Sequence, residues 1–452
     1  GSTIINIQGA DLLPDPQLIL GAPIAKQVVL ENAAANNLRM KITLGADVEP
    51  GLYNLRLANA NGISESVVVA VDRLPQSPVV PADVAQEIES LPVALHGTIT
   101  GARVEKFAFT GKKGQQFVAE VESQRLGAKL RPVIHLYDSR RRQLAWTMSS
   151  PTLLGDARLT TSLPADGRYS LELHDLQYAG GAPGHYRLKI GSFQYADMVY
   201  PPAVSRGSTV LLEFIGNLPA GSTKFTASGS GEVLVPWPKA DLASGLRPKV
   251  LVSDLPELME DVAATEPQAV PSPPFAVSGR LDALGQEDAY RIPVTEGAKL
   301  RLEVFSDRLG AGTDLQLEVC DETGRRLAFN DDAAGTTDPR LDYTVAKGLS
   351  VVEARVRNIL EQGDPRRVYR LAVTSLDEPA KREGFRLHMD AATHNVPEGG
   401  RRVVKVSAER NGYDGPIRLA FDRLPPGVTA ANTEIPPGAN GALMTLTGAK
   451  HG

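Results

Sequence analysis

A chain of 452 residues with 5% aromatic residues, 42 glycines and 33 prolines is too long for one hydrophobic core and suits many short strands joined by turns better than long helices. Its 48 basic and 53 acidic residues leave a formal charge of −5, which gives neither the concentrated basic face that nucleic acid requires nor a polybasic patch for an anionic membrane. The single cysteine, Cys320, excludes an internal disulfide, and no apolar run reaches the ~18 residues of a membrane span.

Residues 1–74 read as one small sandwich. "LRMKITL", "YNLRLAN" and "ESVVVAV" alternate with period two, which puts one face of each strand in a core. The Pro-rich segment from Arg73 to Leu91 reads as a linker with a short helical turn, leading into a larger unit, so that 75–192 form the second domain. In that unit "SQRLGAKLRPVIHLYDSRRRQLAW" ends at Trp146 and returns as "SDRLGAGTDLQLEVCDETGRRLAF", ending at Phe329. The offset is 183 residues: Arg125 against Arg308, Asp138 against Asp321, Tyr186 against Tyr369. Residues 193–254 form a second small sandwich, with "KVLVSDLP" matching "VVVAVDRLP" of the first. The second large unit with its own linker follows at 255–376, containing about eight strand-like segments like its twin. A third small sandwich of different pattern starts the last segment, 384–452, and the chain is expected to stop near its edge. The opening Gly1-Ser2 reads as a cloning remnant, with a leader or further domains expected outside the chain. The fold class is therefore all-β, an array of antiparallel sandwiches of Ig-like and jelly-roll-like type.

Two resemblances sharpen this. The stretch "ADVEPGLYNLRLANANGISESVVVAV" resembles the closing strands of the immunoglobulin-like fold shared by plexins and transcription factors, the IPT or TIG type. The larger units resemble the bacterial pre-peptidase C-terminal domain, which includes the collagen-binding domains of bacterial collagenases. That resemblance rests on "HGTITGARVEKFAFTGKKGQQFVAEV" and "SGRLDALGQEDAYRIPVTEGAKLRLEV", on "IHLYDSRRRQLA" and "LEVCDETGRRLAFNDD", and on "LPADGRYSLELHD" with "GHYRLKIG". It implies an extracytoplasmic accessory module without implying catalysis.

The resemblance also implies calcium between an acidic linker and the first hairpin. In the second copy Glu266-Pro267-Gln268 and Glu287-Asp288 match those places, joined by Asp282, with Gln268 where relatives have Asn. Glu260 and Asp261 extend the cluster. Asn330-Asp331-Asp332 form an alternative acidic turn, for which a plain Asx turn is the competing explanation. Calcium, preferring six to eight oxygens, is thus the one cofactor expectation, in the second copy alone.

No His-Glu-x-x-His spacing or Gly-x-Ser-x-Gly elbow occurs. His135 and His174 read as partly exposed strand residues, facing Glu318 and Val356 of the second copy in the alignment. Cys320 reads as a small buried hydrophobe. Sugar rings stack on exposed aromatics, and Trp237, between prolines in "VPWPKA", and Tyr178 are the ligand-facing candidates. Trp146 aligns with Phe329 and is expected in a shared core. The chain is expected to be non-catalytic, a secreted, periplasmic or cell-surface scaffold or adhesin meeting a protein, matrix or second copy of itself. Two alternatives are a substrate-binding region of a secreted peptidase and an array of carbohydrate-binding modules.

Overall fold

The computed structural model describes residues 1–80, 83–218, 221–238, 242–376, 384–390, 394–411, 413–421 and 424–450. Among them regular structure is strand, apart from three 3-10 turns of three residues each, Gln124–Leu126, Pro151–Leu153 and Asp307–Leu309. The β-branched alternation thus prevails throughout, as an all-β array requires.

Each large unit is a pair of five-stranded sheets. In the first copy one sheet runs Ala157–Ser162, Gln116–Glu122, Gly180–Gly191, Val93–Thr100 and Gln76–Pro78. The other runs Gln143–Met148, Pro132–Asp138, Gly167–Asp175, Glu105–Gly111 and Gln86–Ile88. The outermost strand of each sheet comes from the linker and pairs in parallel, Gln76–Pro78 along Val93–Thr100 and Gln86–Ile88 along Glu105–Gly111. Glu257–Met259 and Gln268–Ala269 do the same in the second copy. The expected helical turn is therefore replaced by edge strands. A proline-rich segment suits an edge because only one side of it needs backbone partners. Pro81 and Ala82, in the same linker, lie outside the described residues.

The two cores repeat position by position. Phe107, Phe117, Ile134, Leu136, Tyr186 and Leu188 fill the first. Tyr290, Leu300, Leu317, Val319, Tyr369 and Leu371, each 183 residues on, fill the second. Gly97 faces Tyr186 across the strand pair, and Gly279 faces Tyr369. A Cβ at either would stand 2.7 Å and 2.3 Å from those tyrosine side chains, so the pairing needs a residue without a side chain.

The recurrent "RLG" marks a shared device. In the first copy the buried Asp156 accepts the backbone N–H groups of Ser123 (2.9 Å), Gln124 (2.8 Å) and Arg125 (3.3 Å) and the Arg125 Nε (2.6 Å). Asp338 repeats this in the second copy with Ser306, Asp307 and Arg308. Gly127 and Gly310 close the two turns at φ 85° and 86°, a left-handed conformation that favours glycine.

The small sandwiches are thinner. Ser2–Gln8, Asn37–Leu44 and Ile24–Val29 face a sheet built on Gly51–Asn59 around Leu38, Met40 and Leu57. Ala196–Tyr200, Thr209–Gly216 and Ser222–Thr226 form one three-stranded sheet and Ala203–Ser205, Lys249–Ser253 and Gly231–Leu234 another, around Val199, Leu212 and Val250. The last sandwich packs Val404, Val406, Ile417, Ile435 and Met444.

Charged residues join these modules. On strands Gln116–Glu122 and Gly180–Gly191, Ala119, Val121, Leu188 and Ile190 enter the core, which turns Glu120, Glu122, Arg187 and Lys189 to the opposite face. That face is covered. Lys189 Nζ lies 2.9 Å from both Glu120 and Glu122 and 3.1 Å from Ser244 Oγ of the second small sandwich. Arg187 grips Asp72, at the exit of the first small sandwich, through two 2.8 Å bonds, and Glu122 at 2.9 Å. Arg158 bridges Glu120 and Asp197. In the second copy Arg370, equivalent to Arg187, holds Glu257 of the linker at 2.6 Å and reaches Ser253.

Candidate functional site

The four predicted calcium ligands do not converge. Asp288 and Glu287 are neighbours on one strand and so point to opposite faces. Asp288 accepts from Tyr369 (2.7 Å) and Gln286 (2.9 Å). Glu287 is exposed and reaches Arg355 at 3.5 Å, Asp282 is exposed near Arg280, and Glu266 is exposed in the linker. Among the described residues no group of three or more His, Cys, Asp or Glu side chains has the geometry of a metal site. Asn330 accepts the Arg340 N–H at 2.9 Å, fixing the turn that Asp331 and Asp332 enter. The acidic residue of that region with a defined role is Asp338, the cap described above.

What the linker does supply is Glu260. It receives Tyr200 Oη at 3.0 Å, from the second small sandwich, and the Arg280 N–H at 2.9 Å, and it lies beside Asp288. Tyr369 donates to Asp288, and the Tyr290 and Tyr369 hydroxyls are 2.5 Å apart. Burial pushes the Glu260 carboxyl up to about 7, with the neighbouring Asp288 charge adding to it, and burial raises Asp288 as well. Both carboxyls are therefore shifted toward the protonated form, by burial and, at Glu260, by the Asp288 charge. Glu105, the first-copy equivalent of Asp288, instead pairs with Arg103 at 2.7 Å. The sequence places Glu260 and Asp288 in one acidic cluster, as calcium ligands, but their meeting as a dyad closed by Tyr200 involves three segments that only the fold assembles.

Folding raises Glu260 from 4.5 to about 7, so its contribution to stability is complete below the unfolded value and is lost as pH rises through about 7. With Glu260 half-buried, the loss is expected to be about 1–2 kcal/mol after allowing for screening. Urea midpoints of the second large unit should be higher at pH 5 than at pH 8. Glu260→Gln should flatten that difference, and a profile unchanged by it would refute the assignment.

The aromatic candidates separate. Trp237 is 8% exposed. Its indole Nε1 donates to the Pro50 carbonyl at 2.9 Å, so it fastens the second small sandwich to the first instead of facing a ligand. A loop tryptophan between prolines looks like a surface residue only while the neighbouring module is out of view. Tyr178 is 50% exposed, as a ligand-facing residue must be. Trp146, expected in the core, is 55% exposed, and its counterpart Phe329 is 42% exposed. Both lie on the edge strand of their sheet, and their alignment reflects a shared outward position. Cys320 is buried at 1%, and burial pushes its thiol up.

Around Tyr178 the outer face of the first large unit carries a row of rings. Tyr178 stacks on His174 at 4.3 Å, His174 on His135 at 5.3 Å, and His135 on Trp146 at 6.3 Å and Tyr137 at 6.0 Å. Arg141 lies over the Tyr137 ring at 4.2 Å and pairs with Glu172. The strand register equates His174 with Arg357, not Val356, since Val133 faces His174 as Gln316 faces Arg357. The second copy fills this face with ions, Glu318 meeting Arg326 at 3.2 Å and Arg357 at 3.8 Å. The two copies thus share a scaffold and differ in the surface they present.

No family model matches the chain, and no curated protein does. Solved structures with likeness include the pre-peptidase C-terminal domain of a collagenase from Bacillus anthracis, at 13% identity over 25% of this chain and 100% of that one, TM-score 0.20. A periplasmic inhibitor of g-type lysozyme from Aeromonas hydrophila matches at 16% over 26% of this chain and 99% of that one, TM-score 0.18. A Bacteroides ovatus protein of a mixed-linkage glucan utilization locus, solved with a heptasaccharide, matches at 12% over 82% and 71%, TM-score 0.16. At such values these likenesses say nothing about function. Among the described residues no helix is long and apolar enough to cross a membrane.

Proposed function

We propose that the chain is a non-catalytic, extracytoplasmic scaffold in which small and large sandwiches are locked at fixed spacing, and that it meets its partner through the ring-lined face of the first large unit. The observation that supports this best is the duplicated joint. Arg187 and Arg370, 183 residues apart, each lie on a sheet face and bind a carboxylate of the preceding segment, Asp72 in one case and Glu257 in the other. A linker that is also an edge strand of both sheets cannot act as a flexible tether, so the unit transmits position. The partner is a protein or a cell-surface or matrix component, and self-association through uncovered sheet edges belongs to the same reading. Rows of exposed rings suit a carbohydrate as well as a protein fibre, which keeps the alternatives of a carbohydrate-binding array and of a peptidase's substrate-binding region within it.

Spin labels at Lys113→Cys in the first small-to-large unit and Lys347→Cys in the second, in a Cys320→Ser background, test the spacing by pulsed dipolar spectroscopy. A single narrow distance distribution is expected, sharpened no further by added salt. A broad distribution would overturn the scaffold reading.

A further inference from the structure

The rings on the outer face of the first large unit keep a common orientation. Neighbouring planes are tilted by 7° from Tyr178 to His174, 16° from His174 to His135, 18° from His135 to Trp146 and 20° from His135 to Tyr137. Hydrogen bonds hold the two histidines in place. His174 Nδ1 donates to the Asp175 carbonyl at 2.8 Å, so its Nε2 is left to accept from His135 Nε2 at 3.1 Å. His135 Nδ1 meets the Gln143 carboxamide at 3.1 Å. With the Nε2 atoms this close and the ring centroids 5.3 Å apart, the two imidazoles meet edge to edge. Tyr178 rests one face on His174 and is half exposed, so its other face is open to water, and Trp146 is half exposed as well.

We propose that this face binds a neutral polysaccharide, an extended chain of β-linked pyranose sugars lying across the sheet. The proposal rests on the reading above that the ring-lined face is the partner surface, and it names the partner. Pyranose rings stack their C–H faces on aromatic rings, and an extended β-linked chain repeats such flat faces in nearly parallel planes, which is the order these rings keep. The charge laid against them is cancelled locally, since Arg141, 4.2 Å over Tyr137, pairs with Glu172 at 3.0 Å. At the rings this leaves stacking and hydrogen bonding, not ionic attraction, as the means of recognition. The exposed Gln143 carboxamide and the Arg141–Glu172 pair offer donors and acceptors to sugar hydroxyls. Protein partners anchor through side chains seated in pockets, whereas His135, Tyr137 and Trp146 stand on the open face of a sheet. The second copy has no such row. Its Phe329 is 42% exposed but carries Arg326 over the ring at 5.2 Å, beside the ion pairs of Glu318.

The test runs the full chain through native gels containing hydroxyethylcellulose, arabinoxylan or galactomannan, beside a gelatin gel and a plain one. Retardation is expected in at least one of the polysaccharide gels. Oligosaccharide fragments of that polymer should shift the emission of Trp146 to the blue at low and high salt alike, Trp237 being already buried. Trp146→Ala and Tyr178→Ala should each weaken binding by about tenfold or more with the melting temperature unchanged, because both side chains are half exposed. Phe329→Ala, an equally exposed ring of the second copy, should leave binding as it is. Passage through all the polysaccharide gels without retardation would overturn the proposal, as would binding that survives both ring variants. In either event, retardation by gelatin or self-association in sedimentation that is lost in Trp146→Ala would strike the polysaccharide alone and keep the ring face as the partner surface. If no probe depends on Trp146, that reading falls with it.

Discussion

Replacing Lys189 by methionine is expected to destabilise the first large unit by about 3–5 kcal/mol, the cost of taking from two fully buried carboxylates the cation they share. Lys189, Glu120 and Glu122 are each fully buried. Burial alone would drive the Glu122 carboxyl up, but Lys189, Arg187 and Arg125 reverse this and bring it down to about 2, and Glu120 is likewise held well below its ordinary value, by Arg158, Lys189 and Arg125. Removing the ammonium takes away the one cation both carboxylates share, leaving Glu120 to Arg125 and Arg158 and Glu122 to Arg187. In a domain of this size such a loss moves the melting transition by roughly 10 °C or more. Calorimetry of the full chain should show the transition containing this sheet shifting while that of the second large unit stays, because Ala372 occupies the equivalent position there. Adding Glu120→Gln and Glu122→Gln to the lysine variant should recover much of the loss. A change below about 1 kcal/mol in the single variant would mean that water or rearranged arginines compensate the pair.

The aspartate caps offer a second large effect with an internal control. Asp156→Ala removes an acceptor for three backbone N–H groups and a guanidinium, and is expected to cost about 2–4 kcal/mol. Asp338→Ala breaks the same bonds in the second copy and should cost less. The side chain of Arg308 is 36% exposed and can turn to water, whereas that of Arg125 is 1% exposed and cannot. Burial pushes the Asp156 carboxyl up despite these donors, so lost hydrogen bonding, and not lost charge, should dominate. Chemical denaturation with a probe in each unit would measure both, and a larger loss for Asp338→Ala would contradict this account.

Particular residues show where sequence stopped being sufficient. The 183-residue offset marks equivalent core positions because a strand's inward residues answer to one local rule, the alternation of faces. Eight strands per large unit were legible for that reason. The two supplied by each linker were not, since Pro-rich segments such as Gln76–Pro78 carry no alternation and become strands only when a sheet edge receives them. Trp237 shows the same limit, its loop character being a local property and its burial a property of the neighbouring module.

The candidate sites divide in the same way. Tyr178 was recognisable as an exposed loop aromatic, whereas Trp146 was misplaced because alignment with Phe329 shows that two positions are equivalent without showing which face they occupy. The pairing of His135 with His174 depends on the antiparallel register of strands 39 residues apart, and that of Glu260 with Asp288 on a linker folded back along a hairpin. Sequence by itself determined the all-β class and the duplicated cores, because these follow from short-range periodicity and repetition. Only the tertiary structure decided which charges are buried together, which rings face water and which side chains meet, because these depend on packing between segments distant in the chain.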